Sequence, residues 1–363
     1  MEKENRNCES KPKVLLGMSG GVDSSVAAIL LKQQGYEVYG MTLELWEEEG
    51  QESTCCNLEA TLEAKKVCDK LNIPHYTLNA KKQFREHVIN DFICEYKNCK
   101  TPNPCIECNR YLKFGYMYQK AKELGAQYIA TGHYAKMEYS ERYRRYVIKK
   151  ASNLAKDQSY VLYNIPKEVL GKVLFPLAEM SNKEAIRQIA RGHNLEVASK
   201  PDSEDICFIP DGDYKKFLEE HSELQPKEGN IVNSKGEILG KHQGLYRYTI
   251  GQRKGLGIAY SEPLFVIGFE PEKNELIVGT QKEIYRKEML VNQLNLLLVD
   301  KIEEPIQVMV KTRYSSKEYE ATIQMIEKDV AKVVFNEPVA RITPGQSAVF
   351  YVDDIVLGGG KIV

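Results

Sequence analysis

No apolar run in this sequence approaches the roughly 18 residues that a membrane-spanning helix needs, which excludes a helical membrane protein. A bias of charge is missing too: 50 Lys and Arg stand against 51 Asp and Glu, a net charge of −1. There is then no global field to hold a polyanion, and nucleic acid would have to meet local basic ground. The first residues, MEKENRNCES, lack an apolar signal core, so 1–11 is expected to be a disordered tail and the protein cytoplasmic. In a reducing compartment the nine cysteines are better read as thiols, metal ligands or transient disulfides than as structural bridges. At 363 residues the chain is long enough for two or three domains, each with its own core.

What is present is an alternation of strand and helix patterns. Residues 13–18, KVLLGM, read as a strand, and SGGVDS leads into the helical VAAILLKQQGY. YEVYGMTLEL reads as a strand, LEATLEAKKVCDKLNIP as an amphipathic helix, and HYTLNA as a strand. Residues 82–97 and YLKFGYMYQKAKELG are helical in pattern, and YIATGH is a strand. Such alternation predicts a parallel sheet covered on both faces, with ligands at the carboxyl ends of its strands. SGGVDS and TGH (131–133) fall there. From about 206 the pattern becomes turn-rich. From about 263, LFVIGF, ELIVG, QVMVKTRY, YEATIQMI, AKVVF and SAVFYV alternate with turns, as in a small β-barrel. The expected domains are 12–205 (catalytic), 206–282 (central) and 283–363 (barrel).

Between a strand and a helix, SGGVDS suits phosphate: Gly20 and Gly21 let backbone amides approach, and the helix start adds partial positive charge. The Walker lysine is absent, so P-loop γ-phosphoryl chemistry is not indicated. Asp23, an anion in an anion site, makes sense with Mg²⁺ between it and the phosphates. The whole motif resembles the PP-loop of ATP pyrophosphatases, which split ATP between the α and β phosphates. The fold class expected is therefore α/β, an adenine-nucleotide α-hydrolase-like (PP-loop) N-terminal domain followed by a small central domain and a C-terminal β-barrel.

TPNPCIECNR (101–110) places Cys105 and Cys108 behind two prolines. Read from the following helical pattern, Cys108 stands at a helix start, where a thiol is more acidic. The metal alternative would use Cys94, Cys99, Cys105 and Cys108, spaced C-x4-C-x5-C-x2-C, which is not a standard zinc or ferredoxin pattern. Cys94, within INDFICEY, reads as a buried inert thiol, and Cys68 as helix core. Cys55 and Cys56 are adjacent and seldom converge on one ion; Cys8 is in the tail. Cys207 lies among Asp202, Glu204 and Asp205, which would raise a thiol pKa and suit a persulfide carrier better than a thiol nucleophile. The alternative is a small buried residue between Ile206 and Phe208.

SGGVDS, TPNPCIECNRYLKFG, ATGHYA, KDQSYVLY, PDSEDICFIP and YTIGQRKGLG, in this order, resemble the tRNA-specific 2-thiouridylases, the MnmA family, from about residue 12 to the end. The resemblance implies a tRNA-uridine 2-sulfurtransferase. Such an enzyme adenylates O2 of the wobble uridine with ATP and Mg²⁺ and then delivers sulfur from a persulfide. It further implies Cys108 as nucleophile and Cys207 as persulfide carrier, the two able to end the cycle as a transient disulfide. Gly17, Met18, Ser19, Gly20, Gly21, Val22, Asp23, Ser24, Leu43 and Gly132 match positions that hold ATP. Asn103, Pro104 and Cys105 match the segment facing the target base, and Lys156, Asp157, Gln158, Arg313 and Tyr314 match tRNA contacts. The implied partners are tRNAs of the lysine, glutamate and glutamine types and a cysteine desulfurase or sulfur-relay protein, with the chain itself a monomer.

The chain departs from some relatives at Cys105, where they carry Asp, and at Leu43, where many carry Met. The first departure leaves the proton donor unassigned. Some relatives are argued to hold a 4Fe-4S cluster on three protein ligands; Cys105, Cys108 and Cys207 are the candidate set, with the persulfide route preferred. Three stretches mixing cations with Tyr, at 141–150, 242–255 and 310–317, are candidate RNA contacts, read as lying on different domains. The rival readings are another PP-loop synthetase, for which no glutaminase pattern is present, and a non-catalytic RNA-binding or sulfur-carrying protein with a decayed ATP site. An intact SGGVDS disfavours the second.

Overall fold

The structure, a computed structural model, describes residues 11–46, 58–200 and 206–363. Cys8, Cys55, Cys56, Asp202, Glu204 and Asp205 lie outside the described residues. The first part of the chain builds β1 (Lys13–Gly17), β2 (Glu37–Glu44), β3 (His75–Asn79), β4 (Tyr128–Ala130), a hairpin of β5 (Lys136–Ser140) and β6 (Arg145–Lys149), and β7 (Val173–Leu174). Five of these form a sheet in the order β3-β2-β1-β4-β7, every pair parallel. Both faces are covered, so β1 is continuously apolar rather than alternating. Val14 and Leu16 pack into a core with Val26 and Leu31 of helix α1 (Val22–Gln33) and Val67 and Cys68 of helix α2 (Leu58–Lys70). Leu15, between them, faces the opposite core, with Phe114 and Met117.

The central part has a helix, Tyr214–His221, and a small sheet of β8 (Gly229–Asn233), β9 (Ile238–His242), β10 (Phe265–Glu270) and β11 (Glu275–Gly279) in the order β10-β11-β8-β9. The last part is a closed barrel of β12 (Tyr285–Leu296), β13 (Ile306–Lys311), β14 (Tyr319–Glu327), β15 (Val330–Ala340), β16 (Ser347–Val352) and β17 (Ile355–Ile362). Pairing of β12 with β17 closes it and removes the open edge that a flat sheet would expose. Inside are Val291, Val310, Ile323, Val333 and Phe350.

The hairpin β5–β6 leaves the parallel sheet and joins the barrel's, with Lys149 opposite Ile355 of β17. Strands β6 and β13, which carry part of 141–150 and of 310–317, therefore belong to one sheet although they come from distant parts of the chain. Much of the first stretch's charge is also neutralised there. Arg145 meets Asp300 at 3.1 Å, Lys149 meets Asp354 at 3.0 Å and Lys150 meets Glu318 at 2.6 Å.

The barrel is bolted to the N-terminal part through Lys361, near the end of β17. Its ammonium lies 2.9 Å from Asp91, 3.3 Å from Glu95 and 3.6 Å from Glu107, carboxylates carried by the helices 81–97 and 104–123. Burial pushes the Glu107 carboxyl up, and Lys361 pulls it down. Burial opposes the charge on Lys361, but Glu107, Asp91 and Glu95 together hold its pKa above the usual lysine range. Replacing Lys361 by Met leaves three carboxylates without their cation, and should cost about 3 kcal/mol, the low end for breaking a buried ion cluster. Because Glu107 titrates above its unfolded value, acid favours its folded form. Its stabilising contribution is fully present at low pH and lost as pH rises. The deficit of Lys361→Met should thus be smaller near pH 5 than near pH 8 in urea unfolding; an equal deficit at both would show that the carboxylates are not the cause.

Candidate active site

At the carboxyl end of β1 the backbone turns through Ser19–Gly21 into α1. Gly20 has φ +75, and a Cβ there would stand 2.7 Å from the Ala60 carbonyl oxygen, so only glycine fits. Ser24 Oγ accepts from the Ser19 amide at 3.3 Å and donates to the Gly21 carbonyl at 3.1 Å; Ser25 Oγ donates to the same carbonyl at 2.8 Å. Gly21 at the N-cap has no side chain with which to cap the helix, so the first amides of α1 suit an anionic ligand. The side chains of Met18 and Val22 are buried in the core, so the loop offers a ligand only their backbone. Gly132, after β4, closes against the cradle: a Cβ there would lie 2.9 Å from the Ser24 amide nitrogen.

Asp23 accepts from Tyr134 Oη at 2.5 Å and from Lys183 Nζ at 2.8 Å on each carboxylate oxygen. Tyr134 lies in the ATGHYA segment, whereas Lys183 belongs to none of the quoted motifs and comes 160 residues after Asp23. Mg²⁺ commonly takes one or two carboxylates and completes its shell with water and substrate phosphates, so Asp23 beside an open helix start is a fitting ligand for it. His133 hydrogen-bonds Thr131 at 2.7 Å, and burial with Lys113 nearby holds its pKa well below the usual value, so the ring is neutral.

The cysteine helix begins earlier than the sequence pattern predicts. Asn103 caps it, its Oδ1 accepting from the Cys105 amide at 3.2 Å, and Pro104 occupies the first helical position, where a missing N–H costs nothing. Cys108 therefore sits one turn inside rather than at the start, and opens a π-helical stretch, Cys108–Tyr116. A second correction concerns Cys94, which is exposed: Phe92, Ile93 and Tyr96 supply that helix's buried face. Cys68 is buried within α2 and its thiol is pushed up to about 12, an inert sulfur.

Cys108 is 7% exposed and lies in an apolar cluster with Phe84, Phe92, Leu112 and Phe208. Cys207 and Leu43 pack against that same cluster. The fold thus brings the environments of the two distant cysteines together, beside the strand that carries the expected adenine contact. Cys105 is exposed. Among the described residues no three His, Cys, Asp or Glu side chains gather into a group that could hold a metal ion. Cys105, Cys108 and Cys207 do not form a ready ligand set in this conformation.

All three parts of the chain meet at TPNP. The Thr101 amide donates to the Pro344 carbonyl at 2.9 Å, and Gln346 Nε2 donates to the Thr101 carbonyl at 2.8 Å. Thr101 Oγ1 bonds Thr249 of the central part at 3.2 Å. Nearby, Tyr314 packs edge-on to Tyr160, with Lys311 above both rings. Burial, then Asp157 and Cys105, raise the Tyr314 pKa, so these residues share one locality. Asp157 is buried and accepts from the Ala151 amide at 2.9 Å and from Ser159 Oγ at 2.6 Å. Its carboxylate shapes the loop that carries Lys156 and Gln158. Gln158 in turn accepts from the Tyr134 amide at 2.9 Å. Arg313 donates to the Arg341 carbonyl at 2.7 Å; burial and the Arg341 charge lower its pKa.

A parallel sheet with this cradle, a small central sheet and a closed barrel define a PP-loop enzyme of the nucleotide-binding α/β class. Family models agree with that division: a "tRNA methyl transferase HUP domain" matches 12–211, a "tRNA methyl transferase PRC-barrel domain" 215–280 and an "Aminomethyltransferase beta-barrel domain" 286–362. A tRNA-specific 2-thiouridylase MnmA from Acetivibrio thermocellus is 49% identical over 97% of this chain and 99% of that one. MnmA proteins from Clostridioides difficile and Carboxydothermus hydrogenoformans are 48% and 47% identical, over 96% and 97% of this chain and 98% of each of theirs. The chain belongs to the MnmA family of tRNA-specific 2-thiouridylases. The domain descriptions mention methyl transfer, but the relatives aligned from end to end are thiouridylases, and they define the family.

Gly132→Ala should displace the first turn of α1 and weaken ATP binding by roughly 10- to 100-fold, the equivalent of 1–3 kcal/mol of overpacking. Isothermal titration with ATP checks this; unchanged affinity would mean that the nucleotide lies elsewhere.

Proposed function

We propose that this chain is a tRNA 2-thiouridylase. ATP binds at Gly17–Ser24 with Leu43 and Gly132 around the adenosine, and Asp23 holds Mg²⁺, which supplies charge neutralisation at the phosphates when bound. O2 of the wobble uridine attacks the α-phosphate, pyrophosphate leaves, and the C2 oxygen becomes part of a departing AMP. The terminal sulfur of a persulfide on Cys207 attacks C2, and AMP leaves with the original oxygen. The Cys108 thiolate then attacks the Cys207 sulfur. The S–S bond breaks, its outer sulfur stays on the base as 2-thiouridine, and a Cys108–Cys207 disulfide forms. Two electrons from an external dithiol, which leaves as its own disulfide, reset the pair. A cysteine desulfurase or sulfur-relay protein reloads Cys207.

The observation that carries this reading is the packing of Cys108 and Cys207 against one apolar cluster beside the PP-loop sheet. A water-poor setting suits persulfide transfer, because a hydrolysed adenylate is lost. Asn103, Pro104 and Cys105 are proposed to face the target base, with Lys156, Gln158, Arg313 and Tyr314 toward the tRNA and Asp157 shaping their loop. Full-length likeness to thiouridylases from three organisms supports the same reaction.

Cys108→Ser and Cys207→Ser should each abolish 2-thiouridine, read by mass spectrometry of digested tRNA, while ATP affinity stays within about twofold. Normal thiolation by either variant would remove that cysteine from the mechanism. Contact through local cations predicts that tRNA affinity falls at least about 100-fold between roughly 50 and 200 mM salt. A flat response in a filter-binding titration would count against those contacts.

A further inference from the structure

The proposed cycle ends with a Cys108–Cys207 disulfide that has to be opened before Cys207 can carry sulfur again. Thiol–disulfide exchange needs the attacking sulfur to reach a sulfur of the bond. Cys108 is buried among Phe84, Phe92, Leu112 and Phe208, and Cys207 is half-buried against the same cluster. At Cys108 a reductant in solution meets apolar packing rather than sulfur. Cys105, by contrast, is exposed, and it stands three residues before Cys108 on one continuous helix. Residues at that spacing are helix neighbours, with Cβ atoms about 5–6 Å apart. A disulfide needs about 3.5–4.5 Å, so the first turn has to tighten by roughly 1–2 Å. The local structure permits this. Pro104 has no N–H, and the Cys105 amide belongs to the first turn, where a helix offers no acceptor; its partner is the Asn103 side chain at 3.2 Å. Cys105 can move toward Cys108 by giving up that one capping bond, with the helix beyond it intact.

We infer that Cys105 is the resolving cysteine of this enzyme and passes electrons from an external dithiol to the buried pair. The inference rests on the persulfide reading above and adds a step to it. The Cys105 thiolate attacks Sγ of Cys108. The Cys108–Cys207 bond breaks, Cys207 leaves as a thiolate that takes a proton, and a Cys105–Cys108 disulfide forms. The dithiol then attacks Sγ of the exposed Cys105, and the Cys105–Cys108 bond breaks. Closure of the dithiol into its own disulfide returns both cysteines as thiols. Cys207 is thereby open to its next sulfur before any external reductant has acted.

The test uses the full chain, loaded with sulfur by a cysteine desulfurase and then freed of cysteine and other thiols. It is given ATP, Mg²⁺ and unmodified tRNA of the lysine type for one turnover. Alkylation and peptide mass spectrometry then locate the disulfide. Wild type should hold mostly Cys105–Cys108, with Cys207 alkylated. A second measurement does not depend on turnover: chains oxidised with diamide are reduced by dithiothreitol, and Cys105→Ser should be reset at least about 10-fold more slowly than wild type, because its remaining disulfide is the enclosed one. Equal rates overturn the inference. So does wild type that holds Cys108–Cys207 after turnover while Cys105 stays a thiol, an outcome that leaves the persulfide reading standing. Three thiols after a completed turnover remove the persulfide reading, and the resolving role with it.

Discussion

The docking of the barrel against the helices that frame Cys108 turns on one largely buried ammonium. Lys361, on the last strand of the barrel, faces Asp91, Glu95 and Glu107 on the two helices that frame Cys108. A buried ion cluster is weak evidence for stability, because desolvation offsets most of the attraction, but it is specific: one lysine can satisfy these carboxylates only in one docking geometry. The barrel is thereby fixed in orientation and depth. Its 344–346 loop then reaches Thr101 and Pro102, and Tyr160 and Tyr163 bond Ser347 at 2.8 and 3.0 Å. The segment TPNP is held between barrel and central sheet, and the helix that starts at Pro104 inherits its direction from that grip.

Much of the N-terminal architecture is legible before any coordinates, because a sheet buried on both faces requires continuous apolar strands separated by amphipathic helices. KVLLG and EVYGMTLE have that signature, and their turns carry SGGVDS. The central sheet is less visible. Its strands are short, GNIVN and ILGKH contain glycine or polar residues, and the β8–β11 pair joins segments distant in sequence. The hairpin at 136–149 reads as a charged surface stretch because its carboxylate partners, Asp300, Glu318 and Asp354, arrive only when the barrel folds against it.

The site divides in the same way. Glycines and cysteines announce themselves because few residue types can do their work; lysines do not, since a lysine on a helix usually means a solvated face. Lys183 and Lys361 are both ordinary by pattern, and both acquire meaning only through carboxylates contributed by distant segments. The misplacement of Cys108 has a local cause. Asn103-Pro104 is itself a cap and first-turn pair, whereas the helical periodicity becomes obvious only from Asn109 onward. Cys94 is misjudged because INDFICEY is apolar on more than one helical face, so periodicity cannot say which side is buried.

A net charge of −1 is compatible with a polyanionic substrate once the pairing of each cation is considered. The hairpin's Arg145, Lys149 and Lys150 are engaged with carboxylates of the chain. At the TPNP junction the balance differs. Lys311 and Arg313 are half-buried, and burial lowers both their pKa values, with Arg341 adding repulsion at Arg313. The nearby Asp157 is occupied by its own loop. Cations desolvated in this way gain more from an arriving anion than hydrated surface lysines do, because part of their desolvation is already met by folding. On the proposed reading, a phosphodiester is held where the three parts of the chain meet, rather than wherever positive residues are numerous. That is also where Cys105 lies, so on the same proposed reading RNA docking and placement of the target base would follow from one packing arrangement.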